Sequence, residues 1–281
     1  MGLVKNYNKI LYKFSQLNII EKIISINIIL FVLPLIIYTF CFLFKIPNPN
    51  IYYYFELFPR LDNLLFRPWS LITYGFIHSG IGHLFWNMIM LYFFSNLFLN
   101  IFKEKDLTIL YFLGIIVGGV FFVFSYSFFP VFLGVKSPLV GSSAGVISVV
   151  IYMCTYSPNS YIRIFFFNIK LIYLGIALII FDLVQLPISN SGGHIAHLGG
   201  ALIGFFAAYK IKNGDNFFNY FKNIRFLQEN AKKDQNKKYY SPNLKEKNQK
   251  VVDRILDKIN ESGYDSLTNE EKNILNEASK D

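Results

Sequence analysis

The chain is short of charge, cysteine, histidine and tryptophan. Asp, Glu, Lys and Arg make up 16% of its 281 residues, against 53% hydrophobic residues and a mean hydropathy of +0.38. So little charge excludes an ordinary soluble domain of this length and points to a polytopic membrane protein. The two cysteines, Cys41 and Cys154, each sit inside an apolar run and imply no disulfide framework. No Walker loop, no Cys/His metal cluster and no internal repeat is visible. What the chain does hold is aromatic residues: 31 Phe and 19 Tyr, which suit lipid contact and interfacial belts. The net charge of +9 gathers at the N-terminus and in the tail. Cytoplasmic flanks of an apolar core explain that placement better than a nucleic-acid partner.

Hydropathy divides the chain into six spans, giving an all-α membrane bundle with a small helical tail. Residues 1–22 are a basic lead-in. The first span, 23–44, contains Pro34 and lacks a small-residue cleavage site, so it reads as a retained helix and not a removed signal peptide. Residues 45–80 form a long outer connection, aromatic and interfacial between 51 and 69. The second span covers 81–101 and the third 107–128, where Gly114, Gly118 and Gly119 form a close-packing face. The fourth, 143–156, is short and starts below the outer surface. An inner connection, 157–168, leads to the fifth, 170–186, with Asp182 near its outer end. Asp182 has the chemistry to orient a histidine. Its end position instead favours an interfacial or helix-pairing role. The sixth span, 194–211, carries Gly199, Gly200 and Gly204 on one side with His197. Inner segments hold the N-terminal lysines, Lys103, Lys105, Arg163 and the tail, against Arg60, Arg67 and Lys136 in the outer ones. That bias puts both termini on the cytoplasmic side.

The stretch Gly141-Ser142-Ser143-Ala144-Gly145 opens the fourth span, and a serine between glycines at a helix mouth is one way to present a nucleophile. Taken alone it equally well serves helix packing. The four histidines, His78, His83, His194 and His197, flank it in two clusters. Ionisable groups at membrane depth are functional candidates. His83 and Asn87 share a helix face. A serine hydroxyl needs a neighbouring base, and His197 supplies one if spans four and six touch. The side chains of His83 and Asn87 and the Ser143 amide are the natural donors to an oxyanion. His194, following Gly192-Gly193 at the outer end of span six, is expected to face water.

These residues resemble the rhomboid family of intramembrane serine proteases. The likeness rests on Gly141-x-Ser143, on His83-x-x-x-Asn87 and on Ala196-His197-x-x-Gly200-x-x-x-Gly204, in that family's order on spans two, four and six. It covers residues 20–212. The resemblance implies a six-helix bundle with a water-filled cavity, a Ser143–His197 dyad, and an oxyanion hole of His83, Asn87 and the Ser143 amide. It implies Gly141, Gly145, Gly200 and Gly204 as structural glycines, membrane-spanning helices as substrates, and neither metal nor other cofactor. Three positions differ from the family's usual pattern. Ala144 follows the serine in place of glycine, Ile147 replaces an aromatic residue one turn on, and Ser70 in place of arginine follows Trp69. An inactive rhomboid-like binder or chaperone of membrane helices would normally have lost Ser143 or His197. A transporter would show paired mid-membrane charges and an inverted repeat, and neither is present.

Beyond the membrane domain (23–212), residues 213–250 read as a basic linker and 251–281 as two short helices. Val251, Ile255 and Ile259 form an apolar stripe that Gly263 terminates, and Thr268-x-x-Glu271 is a capping box. This tail resembles those of Bacteroidetes-type rhomboids. So small a hairpin does not fold securely alone; it is expected to pack weakly on itself or on a partner, whose identity the residues leave open. The expected setting is the inner membrane of a bacterium, with the lipid bilayer and transmembrane proteins as partners.

Overall fold

The structure, a computed structural model, describes residues 12, 14–164, 166–221, 255, 257–259 and 264–272. The chain separates into two compact units, Met1–Gln235 and Asn236–Asp281. Six long helices make up the described part of the first: α1 (Ile19–Leu43), α2 (Ile81–Leu99), α3 (Glu104–Phe128), α4 (Ser143–Tyr156), α5 (Leu171–Gln185) and α6 (Ser191–Lys212). Of these, α1, α2 and α3 are long and apolar enough to cross a membrane by length and composition, while α4 and α5 are shorter apolar helices.

Local chemistry sets the ends. α1 starts four residues before the expected position because Asn18 and Glu21 form a reciprocal capping box, Asn18 Oδ1 accepting from the Glu21 amide at 2.9 Å. α3 starts at Glu104, three residues before the expected 107. Glu104 and Asp106 place negative charge on the amide end of that helix. α4 keeps the expected bounds, and α6 begins three residues early, at Ser191.

The inner connection is not plain loop. Tyr161–Ile164 (β1) and Phe167–Lys170 (β2) pair antiparallel, with Ile162 opposite Ile169, so the all-α expectation is corrected by one hairpin. Apolar and polar residues alternate along Ile162-Arg163-Ile164 and along Phe167-Asn168-Ile169-Lys170, the period of a strand. The outer connection folds into short helical segments, including Leu61–Phe66 and Ser70–Thr73. Arg67 lies over the Tyr53 ring at 4.2 Å and donates to the Tyr53 carbonyl at 2.9 Å, tying the connection together.

The centre of the bundle is α4. Ala144 through Cys154 are all buried, and the helix packs most extensively on α6 and next on α3. Glycine makes this closeness possible. A Cβ at Gly200 would overlap the Ala144 carbonyl oxygen, and one at Gly204 would overlap that of Ser148. The two contacts advance together by four residues, so α4 and α6 run in the same direction with their backbones touching. A Cβ at Gly118 of α3 would meet the Ala196 carbonyl at 2.7 Å and the Ala144 methyl, which closes the three-helix centre. By contrast α1 is apolar on every side and leaves Ile29, Ile36 and Phe40 exposed.

In the second unit, Thr268 and Glu271 form the expected capping box, the Thr268 amide donating to Glu271 at 2.8 Å. Lys258 also pairs with Glu271, at 2.9 Å, and Ile255 is buried. Val251, Gly263 and the linker after residue 221 lie outside the described residues.

Candidate active site

Ser143 is the first residue of α4. The chain reaches it through a segment pinned at three points. Leu57 and Leu139 exchange backbone hydrogen bonds of 3.2 and 2.8 Å, the Gly141 amide donates to the Tyr74 carbonyl at 3.0 Å, and Ser142 Oγ lies 3.2 Å from His78 Nε2. Gly141 takes φ +121°, a conformation that side chains rarely adopt, and a Cβ there would also strike His83 Nε2 at 2.7 Å. Glycine is therefore required twice over at this position. Gly145 lies against the Tyr111 ring and carbonyl, where a Cβ would come within 2.9 Å.

The two neighbouring serines differ sharply. Ser142 is fully buried and engaged with His78, which burial and the nearby His83 push down to about 4 and so keep neutral. Ser143 is half-buried, and its hydroxyl has no hydrogen-bond partner among the described residues. A side chain that must meet substrate fits the second description.

His83 lies in the first turn of α2. Ser79 Oγ sits 3.1 Å from its Nδ1, and the opposite edge, Nε2 with Cε1, borders Gly141. When the Ser79 hydroxyl donates to Nδ1, the proton is on Nε2, on the side of Gly141 and the Ser143 hydroxyl. Asn87, one turn on, is buried and donates one amide hydrogen to the His83 carbonyl at 2.9 Å. That leaves its second amide hydrogen for another acceptor.

His197 precedes Gly200 by one turn on α6, and Ser143 precedes Ala144 by one residue on α4, so the Gly200–Ala144 contact sets the turns that carry them against each other. No hydrogen bond joins Ser143 to His197 among the described residues. A cavity of about 560 Å³ opens beside His83, lined among others by Ser79, Phe122, Tyr126, residues 137–140 and residues 190–193. It gives access at the N-terminal ends of α4 and α6.

Asp182 takes the helix-pairing role: it is 3% exposed, and its Oδ1 accepts from His194 Nδ1 at 2.7 Å and from His197 Nδ1 at 2.8 Å, both on α6. His194 does not face water, since this contact and the Phe181 ring bury it. In the sequence, His194 and His197 are three residues apart and so can share a helix side. Nothing in it places the carboxylate of α5 between them.

The Rhomboid domain family pattern matches residues 66–213, the stretch that contains every one of these groups. A second pattern, that of a family of unknown function, matches residues 237–281. Among curated proteins, the chain is similar to RHOMBOID-like protein 12, mitochondrial, of Arabidopsis thaliana, at 31% identity over 160 residues. The match takes in 53% of this chain and 48% of the relative, so the chain spans about half the length of the protein it matches.

Proposed function

The chain belongs to the rhomboid family and is an integral membrane protein, and from that membership we propose that it is an intramembrane serine endopeptidase. In this reading Ser143 is the nucleophile and His197 the base. His83, Asn87 and the Ser143 amide hold the oxyanion, and the substrates are transmembrane helices of other proteins. The observation that carries it is the contrast between the two serines: Ser142 is buried and bonded, while Ser143 is open beside His83 and one residue from the Ala144–Gly200 contact.

The chemistry follows from the groups present. His197 Nε2 accepts the Ser143 proton as Oγ bonds to the scissile carbonyl carbon, and the carbonyl π pair moves to oxygen. Donors positioned on that oxygen stabilise the charge as it forms, and the surrounding buried groups keep the local dielectric low. Collapse breaks the C–N bond, and the proton on Nε2 passes to the leaving amine. Water then repeats the cycle on the acyl-enzyme, with His197 again taking and returning a proton. Apart from the substrate and one water, these steps use side chains and backbone of this chain.

The wider setting is part of the proposal. All six helices span the membrane, α4 starting below its outer surface. The positive residues of the inner segments put both termini in the cytoplasm of a bacterium. The tail acts outside the chemistry, on a partner of its own.

The test is cleavage of a model transmembrane substrate in proteoliposomes. Ser143→Ala is expected to abolish it while thermal unfolding stays unchanged, and Ser142→Ala to retain it. Activity that survives in Ser143→Ala and disappears in a folded Ser142→Ala protein would sink the assignment.

A further inference from the structure

We infer that Asp182 is a positioning residue for His197, converting the expected dyad into a three-membered relay in which the carboxylate holds the base in one orientation and one tautomer. The inference rests on the reading of Ser143 and His197 as nucleophile and base.

The geometry is specific. Asp182 Oδ1 lies 2.8 Å from His197 Nδ1. A carboxylate at neutral pH only accepts, so Nδ1 carries the proton and Nε2 is left with its lone pair. Nε2 is the nitrogen that must receive the Ser143 proton. Without a fixed acceptor, a neutral imidazole divides itself between two tautomers, and the one with Nε2–H cannot act as the base. When the imidazolium forms during attack, its positive charge faces a carboxylate in a buried site, where an ion pair is screened little.

The placement of Asp182 is itself held. Its side chain is buried, and His194 donates to the same oxygen from the other side at 2.7 Å. A Cβ at Gly175, two turns earlier on α5, would meet Cys154 Cβ of α4 at 2.9 Å, so α5 approaches the bundle closely. A buried carboxylate without partners would be costly in this setting. Two histidine donors make it tolerable, and one of the two belongs to the proposed catalytic pair.

These same three residues have the composition of a metal site, with ligand atoms within 4.8 Å of one another. Their spacing argues for hydrogen bonds instead. Ligands about 2.0–2.2 Å from a tetrahedral zinc lie about 3.3 Å apart. Here one oxygen sits 2.7 and 2.8 Å from both ring nitrogens, and a proton fits those gaps.

The test uses the full chain in detergent and two readouts. The first is steady-state cleavage of a model transmembrane substrate by wild type, Asp182→Ala, Asp182→Asn and His194→Ala. We expect kcat to fall about 10²- to 10⁴-fold in both Asp182 variants with KM unchanged, and His194→Ala to lose only a few-fold. The second needs no variant at position 182. Nitrogen-15 NMR of histidine-labelled wild type, tractable with four histidines, should find neutral His197 protonated on Nδ1 and bare on Nε2. A folded Asp182→Ala protein with wild-type kcat, or a wild-type His197 protonated on Nε2, would overturn the inference. Should wild type neither cleave substrate nor label at Ser143 with a fluorophosphonate, the protease reading itself fails. Should wild type do both and the Asp182 variants match it, only the role of Asp182 fails.

Discussion

α1 and α4 are both apolar helices, yet they obey opposite rules. α1 has 25 residues, is hydrophobic on every side, and exposes Ile29, Leu33, Ile36 and Phe40 to its surroundings. α4 has 14 residues, of which eleven in succession are buried, and its contacts with α6 are set by glycine and carbonyl oxygen with little side chain between. The outer helix is specified by composition, which many sequences satisfy. The inner pair is specified by shape, which few satisfy. The proposed chemistry is located with the second kind: Ser143 starts α4 and His197 lies on α6, while the helices that hydropathy identifies most strongly are α1 and α3.

That difference predicts a graded response to substitution. The largest effect is expected at Gly200. Gly200→Leu drives a side chain into the Ala144 carbonyl, and we expect a cost of about 3 kcal/mol or more together with loss of all cleavage. Thermal unfolding in detergent alongside the cleavage assay reads both. A stable, active Gly200→Leu protein would mean that α4 and α6 do not touch there.

Next comes Asn87→Ala. It removes one proposed oxyanion donor and leaves the others, so turnover should fall roughly 10²–10³-fold with little change in KM. Its buried side chain also bonds the His83 carbonyl. If stability drops while turnover holds, Asn87 belongs to helix packing and not to the reaction.

A smaller effect is expected from pH at His78. The folded ring titrates near 4 and an unfolded one near 6.5. As pH falls through that window the unfolded state takes up the proton first, so stability present above 6.5 is progressively lost towards 4. The slope is at most about 1.4 kcal/mol per pH unit. Unfolding temperatures of wild type should therefore drop more steeply with acid than those of His78→Gln, which retains a partner for Ser142. Identical slopes would assign the acid sensitivity elsewhere.

The smallest effects should come from the periphery. Ile180→Leu on the exposed side of α5 is expected to change stability by no more than about 0.5 kcal/mol. Removing residues 232–281 should leave cleavage of a model substrate intact, since every proposed catalytic group precedes the linker. Activity lost from a folded truncated protein would make the tail part of the enzyme.

The same inner and outer contrast explains what was legible before the structure. The start of α4 at Ser143 could be read because a glycine-bounded serine followed by an apolar run marks a helix mouth. The glycine face of α6 could be read because Gly200 and Gly204 repeat at one helical turn. The β1–β2 hairpin was hidden by a short amphipathic run inside what hydropathy reads as a connection. The partners of Asp182 were hidden for a different reason. Helical spacing reports neighbours on one helix, whereas its contacts with His194 and His197 cross from α5 to α6 and depend on how the helices meet.

The central claim is that Ser143 is a hydroxyl activated by His197. Its most direct test is labelling with a fluorophosphonate that reacts only with an activated serine, followed by mass-spectrometric mapping of the modified residue in wild type and in folded His197→Ala and His194→Ala proteins. The account predicts a single adduct on Ser143 in wild type, its loss in His197→Ala and its persistence in His194→Ala. An adduct on Ser142, or undiminished labelling of Ser143 in His197→Ala, would contradict it.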